Sequence, residues 1–242
     1  MKRFLILLHR ELTSYFLTPV AYIYLIIFAV ASIFRAFQNN FFTANVCSMH
    51  SFFQDLPWIL LFFVPAIAMR LWAEERRSNS IEFLFTLPIT SLQAALAKFF
   101  AAWIMLAIAL LCTGTMPITL AALGSPDWGP VIGGYLGAFL LGGLILSMCA
   151  MASALTTVQV VAFILGFLVS GTFLLLGSPQ ILDIISGFSP TLADIAEQFS
   201  CWNRFESLER GVVEYRDILY FLFLTATFLV ANILVIEERK AA

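Results

Sequence analysis

Charge is what this chain has least of. Only 12% of its 242 residues are Asp, Glu, Lys or Arg, about half the share of an ordinary soluble domain. A soluble globular enzyme of this length would need more polar surface, so that class is set aside. Disorder is excluded as well, because disordered chains are charged and poor in aromatics, and this one holds 25 Phe. Histidine occurs only at His9 and His50. The cysteines Cys47, Cys112, Cys149 and Cys201 show no CxxC spacing, so no zinc or redox motif can be read. There is no GxxxxGK[ST] to cradle phosphates, and no HExxH or GxSxG to scaffold hydrolysis. The net charge of −2 gives no bulk basic field to hold nucleic acid. His9, Arg10 and Glu11 interrupt the first apolar run too early for a secretory signal, and no lipidation motif is visible.

What remains is apolar: 61% of the residues are hydrophobic. The pattern predicts an all-α integral membrane protein with six transmembrane helices, since each crossing takes about 20 mostly apolar residues. The spans are placed at 20–34, 56–69, 94–123, 131–153, 157–176 and 218–236, in one transmembrane domain over 1–242. Residues 128–182 hold no charged residue and no histidine over 55 positions, which fits two spans joined by a short turn near Ser153 to Thr157. Residues 2–17 alternate so that Phe4, Leu5, Leu8, Leu12, Tyr15 and Phe16 share one helical face, an amphipathic helix suited to the membrane interface. Thr18-Pro19 ends it. Residues 74–87 form a polar helix with apolar positions, capped by Asn79 with Glu82 three residues on, and Pro88 stops it. Thr90 with Gln93 repeats the capping box for the next helix. Residues 177–217 form a long loop with one or two short amphipathic helices expected to rest on the membrane surface.

Six spans put both termini on one side. With the termini inside, the inner segments carry Lys2, Arg3, Arg10, Arg70, Arg76, Arg77, Lys98, Arg239 and Lys240, 9 of the 13 Lys and Arg. The positive-inside rule therefore favours termini in, loop 177–217 outside and helix 74–87 in the cytoplasm. The spans carry essentially no ionisable group away from their ends, and Arg35, Arg70 and Lys98 are placed where they can snorkel. Proton or voltage coupling needs buried ionisable groups, so a chain of this kind that moves something draws its energy from elsewhere.

Gly133, Gly134, Gly137 and Gly142 place small residues along the fourth span, for packing within the bundle or against another subunit. Helix 74–87 reads either as a solvated surface helix or as a docking helix, because Ile81, Phe83, Leu84 and Phe85 are too apolar for a free cytosolic surface while Glu74, Glu75, Arg76, Arg77 and Glu82 could set register and partner choice. Cys47 and Cys201 fall on the outer side, where a disulfide is permitted. Cys112 and Cys149 read as small core hydrophobes. The acids Asp194, Glu197, Glu206, Glu209 and Glu214 read as a solvated face of the outer loop.

This order of parts resembles the permease subunit of a type-2 ABC transporter. One stretch that carries the likeness runs from Glu74-Glu75-Arg76-Arg77 through Ser80-Ile81-Glu82-Phe83-Leu84-Phe85 to Leu87-Pro88, followed by Lys98. Asn79-Ser80 stands where the family usually has Gly-Thr. The other comprises Phe188-Ser189-Pro190, Phe205-Glu206, Arg210 to Glu214, Arg216-Asp217 and the closing Glu237-Glu238-Arg239. It is similar to permeases of gliding-motility and copper-enzyme-maturation systems. The resemblance implies no catalysis by this chain and no cofactor bound to it. ATP and Mg would sit on a separate ABC ATP-binding subunit, docked at a cytoplasmic coupling helix around Glu74 to Leu87. Glu74, Glu75, Arg76, Arg77, Glu82, Phe83, Leu84 and Phe85 would transmit its motion. A second permease copy or paralogue, membrane lipid and an outer-compartment accessory protein are the other expected partners, in a bacterial cytoplasmic (inner) membrane. The rival expectation is a membrane anchor or assembly subunit that uses loop 177–217 as its docking surface, without transport.

Overall fold

A computed structural model describes residues 2–38, 48–78, 90–189, 191, 197 and 199–241. Among the described residues the chain is helical, with no strand. It is an all-α membrane protein with six helices long and apolar enough to cross a membrane: Pro19–Gln38, His50–Arg77, Ser91–Leu123, Trp128–Leu155, Gln159–Leu176 and Tyr215–Glu238. The helix Lys2–Leu17 precedes them. Below, the near end is the end of the bundle that holds this helix, and the far end is the opposite one.

The fourth span is the axle. It is apolar all round and buried along most of its length, as expected for a helix surrounded by others. Its small residues let neighbours approach closely. A Cβ on Gly133 would lie 2.3 Å from the Leu208 carbonyl oxygen, one on Gly134 2.5 Å from the Phe53 ring, and one on Gly142 2.4 Å from Leu106. Gly137 faces Leu208 and Phe205. All four glycines predicted for packing or for a subunit interface are thus met by this chain's own residues, Gly133 by backbone and the other three by side chains. Trp103 stacks on Phe139 with centroids 4.4 Å apart and donates its indole N–H to the Phe139 carbonyl at 3.0 Å; Gly143 leaves the room for it.

The first span shows the opposite balance. Ala21, Phe28, Ser32 and Ala36 form one buried stripe at helical spacing. Val20, Ile23, Ile27, Val30 and Phe34 are exposed, the surface that hydrocarbon would cover.

Two spans are broken, and in each a distant hydroxyl repairs the backbone. The second span changes helix at Met69. The first turn of the new helix, Arg70–Arg77, has N–H groups without helical acceptors. Ser153 Oγ accepts from Trp72 N at 3.1 Å and Ala73 N at 3.2 Å, and donates to Met69 O at 3.1 Å. In the third span Pro117 has no N–H to offer the carbonyl four residues back. That carbonyl, Thr113 O, accepts from Met116 N at 3.0 Å and also from Tyr135 Oη at 3.2 Å.

In the far-end loop the helices Pro179–Phe188 and Cys201–Glu209 are present, and the second packs on the fourth span. Phe205 and Leu208 are buried on the fourth span, against Gly137 and Gly133. The glycine gap that would have welcomed another subunit is filled by the chain's own loop, which buries two large apolar side chains. Ser200 caps this helix through Asn203 N at 3.1 Å and also donates to Gly177 O at 3.2 Å. Gly211 follows with φ +83°, and a Cβ there would meet Pro130 N at 2.9 Å, so glycine is required on both counts. Further ion pairs brace this end: Arg35–Asp55 at 2.9 Å, His50–Glu209 at 2.5 Å and Arg204–Asp217 at 2.8 Å.

Gly133→Ala forces the Cys201–Glu209 helix outward and is expected to destabilise by about 1–3 kcal/mol, the range for overpacking a filled core. Gly187→Ala, where a Cβ meets nothing within 4 Å, should be neutral or stabilising. Thermal midpoints of the two variants in one detergent measure the contrast.

Candidate functional site: a charged groove at the near end

Three elements meet at the near end: the helix Lys2–Leu17, the Arg70–Arg77 extension of the second span, and the start of the third span. The third span begins with the expected capping box, Gln93 N to Thr90 Oγ1 at 3.2 Å and Thr90 N to Gln93 Oε1 at 3.5 Å. Two turns inside it stands Lys98, only 5% exposed. Its ammonium lies 2.7 Å from Glu75 Oε1 and 3.3 Å from Glu11 Oε2, and 5.4 Å from the centre of the buried Trp72 ring. Lys98 was expected to snorkel; it is enclosed and ion-paired instead. Removing a lysine from water is costly unless partners replace its hydration, and here two carboxylates and an aromatic face do so.

Each carboxylate brings its own helix. Glu11 stands in the apolar stripe of the N-terminal helix, between Leu7 and Tyr15, so the acid is carried onto the third span by the packing of its neighbours. Burial pushes the Glu11 carboxyl up, but Lys98 and then Arg10, which pairs with it at 2.7 Å, hold it below its ordinary value of 4.5. Glu75 comes from the second-span extension. One turn before it, Arg70 grips Glu74 through two nitrogens at 2.8 and 3.2 Å. Tyr15 completes the wall; burial, with the nearby Glu11 carboxylate, pushes its phenol up. Between these side chains runs a groove of about 420 Å³.

Glu74, Glu75, Arg76 and Arg77 do lie on a helix, but that helix begins at Arg70 and continues the second span, so the expected separate start at 74 is corrected. The break at Met69 is followed at once by another turn, capped from the side by Ser153, and nothing allows a loop there. Glu82, Phe83, Leu84 and Phe85, with the Asn79 cap, lie outside the described residues. So do Cys47 and Asp194. Cys201 is a free, buried thiol 3.5 Å from Tyr220 Oη, and burial pushes it up. Glu209 is likewise raised by burial, against the pull of His50.

The sequence reading missed Glu11, Tyr15, Arg70 and Trp72 as members of this cluster. The one available signal was an acid inside the 4-8-11-15 stripe. No group of three or more His, Cys, Asp or Glu with metal-holding geometry occurs among the described residues. The arrangement holds backbone elements together; it positions no nucleophile beside a base. No protein-family model matches the chain, and no curated protein matches it.

Lys98→Ala strands two facing carboxylates and is expected to destabilise by about 3–5 kcal/mol. Adding Glu11→Gln and Glu75→Gln to it should recover much of the loss, as read by thermal midpoint. Because the folded Glu11 value lies below 4.5, its contribution is complete above that pH and is lost as pH falls through the lower folded value. The wild type should therefore show an acid-side fall in thermal midpoint that is reduced in Glu11→Gln.

Proposed function

We propose that this chain is the membrane-spanning permease subunit of a type-2 ABC transporter, an exporter or a transmitter of force to partners on the other side. It does no chemistry itself. A separate ATP-binding subunit, carrying ATP and Mg, docks at the near end, and a second permease copy or paralogue completes the pore-forming pair. The near end faces the cytoplasm of a bacterium, in keeping with 9 of the 13 Lys and Arg in the inner segments.

The observation that carries this reading is the Lys98 node. It joins the N-terminal helix, the second-span extension and the third span. The extension holds the start of the stretch Glu74 to Leu87 that resembles a coupling helix, and the third span follows it. Force applied to that stretch from outside reaches Arg70–Arg77 at one end and Ser91 at the other. Both are tied to Lys98, directly or through Glu75. A docking element needs stiff supports of this kind if motion is to reach the spans instead of being absorbed locally.

The test is affinity capture of the detergent-solubilised protein from its native membrane, followed by an ATPase assay. A P-loop ATPase should co-purify, and Glu82→Arg with Phe85→Ala should release it while the protein stays folded. Capture with no ATPase would overturn the reading. Orientation is checked separately. In a background without the four native cysteines, Ser125→Cys should react with an impermeant maleimide added outside the cell, and Thr157→Cys should not.

A further inference from the structure

The near-end groove has features that the ion-pair network does not use. Lys98 pairs with Glu11 and Glu75, but the groove wall also holds further donors. Among the described residues Arg10 gives one nitrogen to Glu11. Arg70 engages Glu74 through Nε and Nη2, which leaves Nη1. Tyr15 lines the groove, and its hydroxyl hydrogen-bonds to no described residue. The most exposed carboxylate of the lining is Glu74, the partner of Arg70, whose side chain is 47% exposed. At about 420 Å³ the groove is within the size of small-molecule sites, roughly 300–1,000 Å³.

The charges decide what fits. Arg10, Arg70 and Lys98 are balanced by Glu11, Glu74 and Glu75 along the lining. A simple anion would meet carboxylates, and a simple cation would meet guanidinium groups. An occupant carrying both signs meets each where it is wanted: an anionic oxygen group against Arg10, Arg70 and Tyr15, and a hydrogen-bonding ammonium against Glu74. Guanidinium is suited to phosphate oxygens because its N–H groups present a planar fork. The location narrows the choice further. The groove is bounded by Thr18, where the N-terminal helix turns into the first span, and by Ser78, where the second span's helix ends. That is the level at which spans leave hydrocarbon for headgroups. Beside Thr18, Leu17 and Val20 are exposed at 78% and 54%, an apolar surface where acyl chains can lie.

We infer that this groove is a binding site for a phosphate-and-ammonium zwitterion of the phosphoethanolamine type, with the phosphate on Arg10, Arg70 and Tyr15 and the ammonium on Glu74. The inference does not rest on the permease reading, since it uses no partner subunit and no transport. A phosphatidylethanolamine headgroup and free phosphoethanolamine share this chemistry, and the experiment separates them.

Detergent-purified full-length protein is titrated with dihexanoyl phosphatidylethanolamine, the corresponding phosphatidylglycerol and phosphatidylcholine, and free phosphoethanolamine. Binding is read as the dose-dependent rise in thermal midpoint. The ethanolamine lipid should bind about tenfold tighter than either rival, because the glycerol lipid lacks the cation and the choline cation cannot donate a hydrogen bond to Glu74. Glu74→Gln should abolish the preference for ethanolamine over choline. Arg10→Gln with Tyr15→Phe should weaken binding of all three lipids about tenfold or more. Arg10 also pairs with Glu11, so each variant's unliganded midpoint is measured as the folding control, and binding is read as the rise above it. Free phosphoethanolamine matching the lipid mole for mole would identify a soluble occupant. Its failure beside a bound ethanolamine lipid would identify a membrane one; either result upholds the site. Equal binding of the three lipids by the wild type, unchanged binding by the Arg10→Gln, Tyr15→Phe variant, or no binding of any probe would overturn it.

Discussion

A lysine enclosed among helices is the constraint on which the near end of this molecule depends. Its ammonium cannot be left bare inside protein, so whatever surrounds it must supply negative charge at hydrogen-bonding distance. Glu11 and Glu75 do this from two different elements. The consequence is geometric as much as energetic. An amphipathic N-terminal helix has many ways to lie on an interface, and its apolar stripe alone would not choose among them. Once Glu11 must reach Lys98, the helix is fixed across the third span, with Phe4 edge-on to Phe100 at 6.4 Å and Tyr15 turned toward the second-span extension. Hydrophobic packing supplies the adhesion, and the ion pair selects the register.

The far end is organised on a different principle. There the fourth span presents glycines, and what matters is the absence of side chains. The Leu208 carbonyl approaches Gly133 to a distance that no Cβ would allow, and Leu208 and Phe205 pack tightly on Gly137. The ion pairs that accompany this packing, His50–Glu209 and Arg204–Asp217, tie the loop helix to the second and sixth spans. Sterics bring the parts together here, and charge then locks them, the reverse of the order at the near end.

This difference explains what could be read from sequence. The six spans were legible because each is a long apolar run, and their observed bounds differ from expectation by only a few residues except in the second. That span runs on from Ala68 through a polar continuation, Arg70–Arg77, whose last residues the sequence assigns to a separate helix starting at Glu74. The capping box at Thr90 was legible because both partners lie three residues apart. The repairs at Met69 and Thr113 were not, since Ser153 and Tyr135 come from another span and a serine or tyrosine in an apolar run has no local mark of its role. The same holds for Lys98. A lysine eight residues into a helix looks like one that can snorkel, and only the arrival of Glu11 from 87 residues away shows that it does not. Gly133 and Gly137 were legible as close-approach sites, but their partner was not. Its apolar residues sit in a loop whose acids suggested a solvated face.

The second span joins the two organisations. It starts at His50, paired with Glu209 at the far end, and finishes in the extension whose Glu75 holds Lys98 at the near end. A rod with its ends fixed so differently would be expected to flex at its weakest point, the break at Met69. Yet that break is where Ser153 contacts three backbone groups at once, and Ser153 belongs to the buried fourth span. A displacement of Arg70–Arg77 is therefore not relieved by bending at Met69. It is shared with the axle of the bundle, which carries the glycines beneath Phe205 and Leu208. The two ends are mechanically continuous through one serine, although no charged residue lies between them along the fourth span.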